Sequence, residues 1–424
     1  MPDAPTTTTG APDDLVPKVL DDASSKVQER PSSTISSRAR RLTILAFALG
    51  GFGIGTTEFV AMGLLPNIAG SLGVSEPTAG HVISAYALGV VVGAPLIAAL
   101  TARMSRRVLL IALMVAFTIG NLATVLAPSY GLLLVARFVA GLPHGAYFGV
   151  AALVAAHLAG PRNRAKAVGQ VMLGLSVANV VGVPAAAWLG ETFGWRTAFA
   201  IVVVIGIATV VALVRVLPTL SGMTITDPLT ELGALRRTQV WFTLVIGVVG
   251  FGGMFAFYTY LNSALTSVTG LPVSVVPFAL MLYGLGMVTG NFVGGYAADR
   301  SVSVAILAGL FTSAVTLAAF AVLAENAWAA LILTYFVALT GSTMLPALQT
   351  RLMDVAADAQ TLAAALNHSA LNVANAAGAF LGGVVVSAGW GFLSPSAIGA
   401  VLAVGGIAVA VVAIATARRR PVGA

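Results

Sequence analysis

Twelve apolar stretches, each close to the roughly 20 residues a helix needs to cross a bilayer, dictate what this chain can fold into. They run near 42–65, 79–100, 108–127, 131–157, 165–190 and 197–217, then near 240–268, 273–298, 302–323, 328–350, 361–387 and 394–416. Charged residues are only 9% of the 424 and hydrophobic ones 58%, whereas a soluble domain carries about 25% charge. A soluble fold has too few charges to cover so much apolar surface. The expected fold is all-α: a polytopic membrane protein with twelve transmembrane helices in two six-helix pseudo-symmetric bundles.

The segments divide the chain into a Thr-, Ser-, Pro- and Asp-rich tail at 1–40, a first bundle at 41–217, a polar linker at 218–238, a second bundle at 239–417 and a short tail at 418–424. The first tail has no apolar stretch resembling a secretory signal and reads as disordered and cytoplasmic. Lys and Arg set the orientation. With the N-terminus inside, 20 of the 22 basic residues fall on the cytoplasmic side; Arg196 lies outside and Arg137 within a span. Both termini are therefore expected in the cytoplasm, with the chain multi-pass in the cell's inner (plasma) membrane.

The halves repeat. A shift of 197 positions lays Tyr86, Gly89 and Gly93 on Tyr283, Gly286 and Gly290, and Arg103 on Arg300; a shift of 196 lays Asn179 and Gly182 on Asn375 and Gly378. Parallel six-helix repeats around a midplane cavity suit a transporter.

Other functions find little support. The net charge of +7 comes from short basic clusters between apolar segments, so nucleic acid is not an expected partner. No cysteine is present, which removes thiolate metal sites and disulfides. There is no phosphate-binding G-x-x-x-x-G-K-[ST] sequence and no H-E-x-x-H or catalytic-triad spacing, so no enzyme activity, cofactor or metal is expected. The expected partners are a small-molecule substrate, protons and the lipid bilayer, with the protein a monomer.

Glu58, in the glycine-rich stretch Gly50–Pro66, is the one carboxylate well inside an apolar segment. A charge at that depth costs several kcal/mol or more. Glu58 and Arg137 both lie roughly 10 Å below the outer surface at a 1.5 Å rise per residue, so depth permits an ion pair. Two roles fit: Glu58 carries a proton with Arg137 as its electrostatic gate, or the two form a static pair joining the first and fourth segments. His144, seven residues from Arg137, is either a proton relay or a neutral core residue. Asn179, Asn375, Asn291 and Asn372 are candidates to line a substrate cavity, with Phe255 and Tyr258 as aromatic walls; helix packing is the competing role for each. Phe255 takes the place of Glu58 in the repeat.

Several motifs give this chain a family resemblance. Leu100-Thr-Ala-Arg103-Met-Ser-Arg106-Arg107 is similar to the loop G-x-L-A-D-R-x-G-R-R of the Major Facilitator Superfamily, with Ala102 in place of its Asp and Ser105 in place of its second Gly. Gly295-Tyr-Ala-Ala-Asp299-Arg300 keeps the Asp. Arg137-Phe-Val-Ala-Gly-Leu-Pro-His144-Gly resembles the family's intramembrane Arg motif. Gly174, Asn179, Gly182 and Pro184 resemble its antiporter motif, with Val183 splitting the usual Gly-Pro. The T-E-F around Glu58 and the W-R-x-x-F at Trp195 are similar to sugar-efflux and chloramphenicol-resistance exporters of the drug:proton antiporter branch. The resemblance implies export of a small organic molecule in exchange for protons, with Arg103, Arg107, Asp299 and Arg300 in cytoplasmic gating, and Gly174, Gly182 and Pro184 where the fifth segment packs and rocks. A proton-coupled importer and an uncoupled facilitator share the same fold and stay open at this point, and an intramembrane enzyme is the remote alternative.

Overall fold

The computed structural model describes residues 36–101, 104–160, 163–218, 233–356 and 360–418. The chain divides into two compact units, Met1–Ser37 and Arg38–Ala424. The first, with most of the expected tail, lies outside the described residues apart from its last two positions. The second holds twelve long helices, and no strand occurs among the described residues.

In chain order they are α1 Ser37–Gly63, α2 His81–Leu100, α3 Arg106–Leu126, α4 Tyr130–Ala159, and α5, which runs Arg164–Val177, through a π turn at Ala178–Gly182, into Val183–Phe193. Then come α6 Trp195–Val216, α7 Thr238–Thr259, α8 Val276–Arg300, α9 Val302–Leu323, α10 as Ala327–Ser342 and Met344–Ala356, α11 Gln360–Ser387 and α12 Ser394–Arg418. Among the described residues eleven are long and apolar enough to cross a membrane; α2, at 20 residues, completes two sets of six. Two short helices, Leu65–Leu72 and Glu76–Ala79, connect α1 to α2. Of the linker, the described part forms the 3₁₀ turn Gly233–Arg236.

The seventh apolar stretch does not stay one regular helix to residue 268. After Thr259 the chain makes the short helix Leu261–Ser263 and the π turn Ala264–Val268.

The repeat seen in the sequence is a repeat of helix pairs. α2 packs on α4 as α8 packs on α10, and α3 packs on α4 and α6 as α9 packs on α10 and α12. The crossings match residue for residue. A Cβ on Gly89 would strike the Phe138 carbonyl of α4, and one on Gly286 the Tyr335 carbonyl of α10. Both pairs obey the 197-residue shift. Small residues that let backbones touch are the usual means of close helix association in lipid, where apolar burial gives no drive.

Burial orders the helices. α1 is 78% buried over its apolar window and its counterpart α7 67%, against 28% for α12, so α1 and α7 are the inner helices. The largest buried cluster draws on both halves at the end away from the α1 start, here termed the far end: Phe59, Leu64 and Ile68 with Phe255, Tyr258 and Leu280. At the opposite end the clusters belong to one half each, Ile44, Phe47, Leu109 and Leu217 in the first and Val240, Leu352 and Ala356 in the second. Among the described residues the halves thus share a core at the far end only.

Candidate functional site

The site grows from three consecutive residues of α1. Successive side chains on a helix are about 100° apart, so Thr57, Glu58 and Phe59 face three different surroundings.

Thr57 turns into the first half. Its hydroxyl donates to Asn121 Oδ1 of α3 at 2.5 Å, and Asn121 in turn donates to the Phe117 carbonyl at 2.9 Å. The same hydroxyl accepts from one terminal nitrogen of Arg137 at 3.0 Å, while the other reaches the Thr57 carbonyl at 3.1 Å. Arg137 is fully buried. Its guanidinium lies 4.3 Å from the Tyr86 ring centroid and 5.2 Å from that of Phe199, and its Nε has no hydrogen-bond partner.

Glu58 turns to the seam between halves. It is 7% exposed, and the Asn375 side chain of α11 faces its carboxyl. Asn375 is buried, and neither of its amide atoms makes a hydrogen bond among the described residues. Arg137 is nearby, but no ion pair within 4 Å joins it to Glu58: the arginine's two hydrogen bonds are both taken by Thr57. Arg137 meets the face of α1 that carries Thr57, and the rotation of about 100° to the next residue keeps Glu58 apart from it. Phe59 turns to the second half, stacked on Phe255 at 6.4 Å and edge-on to Tyr258 at 5.9 Å.

His144 is buried and shares a 3.1 Å hydrogen bond with the Tyr86 hydroxyl. Its ring neighbours Phe148, which stacks on His368 of α11 at 6.1 Å. Arg137, Tyr86 and His144 form one polar strip in the first half, and Phe148 carries that strip across the seam. Tyr86 and Asn121 are the members that sequence reasoning missed. Each had a signal: Tyr86 opens the repeated Y-x-L-G motif, and Asn121 is a lone amide inside the third apolar stretch.

The expected substrate residues divide. Asn179 and Asn372 each donate an amide N–H to the carbonyl four residues back, Leu175 and His368, leaving buried Oδ1 atoms unpaired. Asn291 does the same toward Met287 but is only half-buried. Phe255 and Tyr258 belong to the far-end plug: Tyr258 stacks on Tyr283 at 4.0 Å and is 1% exposed.

The expected gating residues are not brought together. Arg103 lies outside the described residues. Arg107 donates to the Val214 carbonyl of α6 at 2.9 Å. Arg300 lies 3.5 Å over the Tyr296 ring of its own helix, and Asp299 is exposed, without an ion pair among the described residues. Gly174 lets α5 lie on the Ala48 carbonyl of α1, and Gly182 leaves room for Phe52 and Thr56. Pro184 is the second residue after the π turn, with Val183 between. Lacking an N–H, it cannot bond to the carbonyl four residues back, and its ring crowds that carbonyl; the wider turn relieves both.

Fold and site together define a class: a membrane protein of two repeated six-helix halves that meet around a buried carboxyl. The chain belongs to the Major Facilitator Superfamily, whose family model matches residues 47–300 and again 262–423. It is 42% identical over 378 residues to the inner membrane transport protein YdhP of Escherichia coli strain K12, covering 89% of this chain and 96% of the relative. It is 32% identical over 358 residues to a chloramphenicol resistance protein of Streptomyces lividans, covering 84% and 91%. In fold it resembles a bacterial homologue of the human lysosomal transporter Spinster, with TM-score 0.68 at 20% identity over 90% of this chain and 96% of that one. The protein is a membrane transporter of this superfamily.

Proposed function

We propose that the protein exports a small, neutral organic molecule, such as an amphenicol or a sugar, in exchange for protons. One observation carries the reading: Glu58 sits buried at the seam between the halves, with an amide of the opposite half before it and, among the described residues, no cation paired to it. A buried, unpaired carboxylate is costly, and a proton from either side removes that cost. A carboxyl at the joint between two moving bodies therefore ties its protonation to their movement.

In the exchange cycle Glu58 takes a proton from outside, the halves close at the far end, and the proton leaves to the cytoplasm before substrate is taken up. Arg137, pinned by Thr57, biases this release without neutralising Glu58 permanently. The far end is the outer one, by the distribution of basic residues, and the shared core there corresponds to a carrier closed to the outside. The chloramphenicol resistance relative supports export and an amphenicol as first substrate to try.

The test is transport in reconstituted vesicles with an imposed pH gradient, after a survival screen of an expressing host against amphenicols and sugar analogues. Wild-type protein accumulates the exported compound against its gradient. Glu58→Gln equilibrates it downhill and no further. If Glu58→Gln still concentrates the compound, the proton-carrier role is wrong; if wild type never does so, the protein is a facilitator.

A further inference from the structure

A second carboxylate occupies the far-end joint, unused by the scheme above. Glu76 opens the short helix Glu76–Ala79 between α1 and α2, outside the spans. Its Oε2 accepts a hydrogen bond from the Ser263 hydroxyl, which belongs to the second half. Around this contact the halves are fastened twice more: Asn262 donates to the Gly63 carbonyl at 2.5 Å, and Ser84 to the Ala376 carbonyl at 3.1 Å. Tyr260 fills the joint between them. It is 1% exposed with an unpaired hydroxyl, wedged where a Cβ on Gly80 or on Gly383 would meet it at 2.9 Å.

We propose that Glu76 is a second proton-binding residue, and that its protonation from the outer side favours closure of the far-end gate. The direction of the effect on transport rests on the antiport reading. In the closed state burial pushes the Glu76 carboxyl above the ordinary carboxylate range, outweighing the Ser263 bond that pulls it down. When the halves part, Ser263 leaves with the second half and the carboxyl is solvated, returning it to the ordinary range. The closed state therefore binds the proton more tightly. Its advantage is complete below the ordinary carboxylate range and fades as pH rises through the raised value. Acid outside thus both loads Glu58 and shuts the gate behind the proton.

Tyr260, His81 and Tyr130 are the other titratable groups around this connection. Tyr260 is the titratable neighbour from the α7 extension. His81, five residues along its own connection, shares a 3.1 Å hydrogen bond with Tyr130 of α4, and α11 presents Phe380 and Gly383. Among the described residues no Lys or Arg pairs with it.

The chain has no cysteine, so spin labels at Gly70→Cys and Ser274→Cys, both exposed and on opposite halves, report the far-end distance by pulsed electron resonance in nanodiscs. The parent is Glu58→Gln, which removes the other proton site. Between pH 5 and 8 its closed fraction is expected to fall, by about tenfold in the closed-to-open ratio for each pKa unit separating the two states. Adding Glu76→Gln should hold the distance at its acid value at every pH. Ser263→Ala, by removing the bond that favours the ionised form, should move the midpoint to higher pH; a merely structural contact would leave the midpoint in place. A pH-invariant distance in the parent, or a pH dependence that survives Glu76→Gln, overturns the proposal. Neither result bears on Glu58, whose role is read from vesicle accumulation.

Discussion

At the residue scale the chemistry turns on one step along α1. Thr57 satisfies two of the nitrogens of a fully buried arginine and hands the chain of hydrogen bonds to Asn121, so Glu58 beside it is left free to answer to the other half. A fork of two bonds between aromatic faces is a geometry that guanidinium meets and ammonium does not. Arg137→Lys should therefore lower transport by about tenfold or more while leaving most of the protein folded, as size-exclusion and transport assays can check. Thr57→Val loses the hydroxyl's bond from Arg137, about 1.5–3 kcal/mol for a charged group, and its bond to Asn121, about 0.5–1.5 kcal/mol, which together set the stability deficit expected in thermal melts. Glu58 itself was legible in the sequence, because a carboxylate in an apolar stretch is expensive wherever it lies. Its partner was not: rise per residue gives depth, and azimuth depends on how α1 is rotated against its neighbours. Glu76 escaped notice for a different reason. Ser-Glu-Pro-Thr looks like an ordinary exposed connection, and its burial comes from Ser263, far away in the chain.

At the element scale the helices were legible almost throughout, since length and apolarity decide them, whereas the glycines of α2 and α8 showed only a repeat, and that they mark crossings emerges from the packing. The irregular turns were less so. Pro184 signals a disturbance in α5, but whether the helix kinks or widens depends on the packing of Asn179 and Gly182 against α8 and α1. Pro184→Ala restores the missing donor and should let α5 run as a regular helix through residues 178–184. The expected outcome is a folded protein, with melting temperature equal to or above wild type, and impaired transport because Asn179 is turned out of register. At the α8–α10 crossing a Cβ on Gly286 would meet backbone, which cannot yield as a side chain can. Overpacking costs about 1–3 kcal/mol or more, so Gly286→Val should fall markedly in folded yield, and Gly89→Val at the matching α2–α4 crossing should do the same. A mild effect at one and a severe one at the other would argue against equivalent crossings.

At the scale of the whole molecule, two repeated halves share a core at one end and keep separate cores at the other, the arrangement that alternating access requires of one of its states. If the far end must part, fastening it should arrest the cycle. Ser84→Cys with Ala376→Cys, across an existing contact between α2 and α11, should stop transport on oxidation and recover it on reduction; uninterrupted transport by the cross-linked protein would mean the halves do not separate there. The repeat in the sequence announced the matching helix pairs of the two halves, but no residue pattern states which end is shut. In the proposed exchange, substrate and proton compete through Glu58. This competition is tested most directly by adding an exported compound to purified protein in weakly buffered medium and following pH with an indicator dye. Wild-type protein should release protons on binding and Glu58→Gln should bind without releasing them; no release from wild type, or equal release from Glu58→Gln, would rule out proton exchange through Glu58.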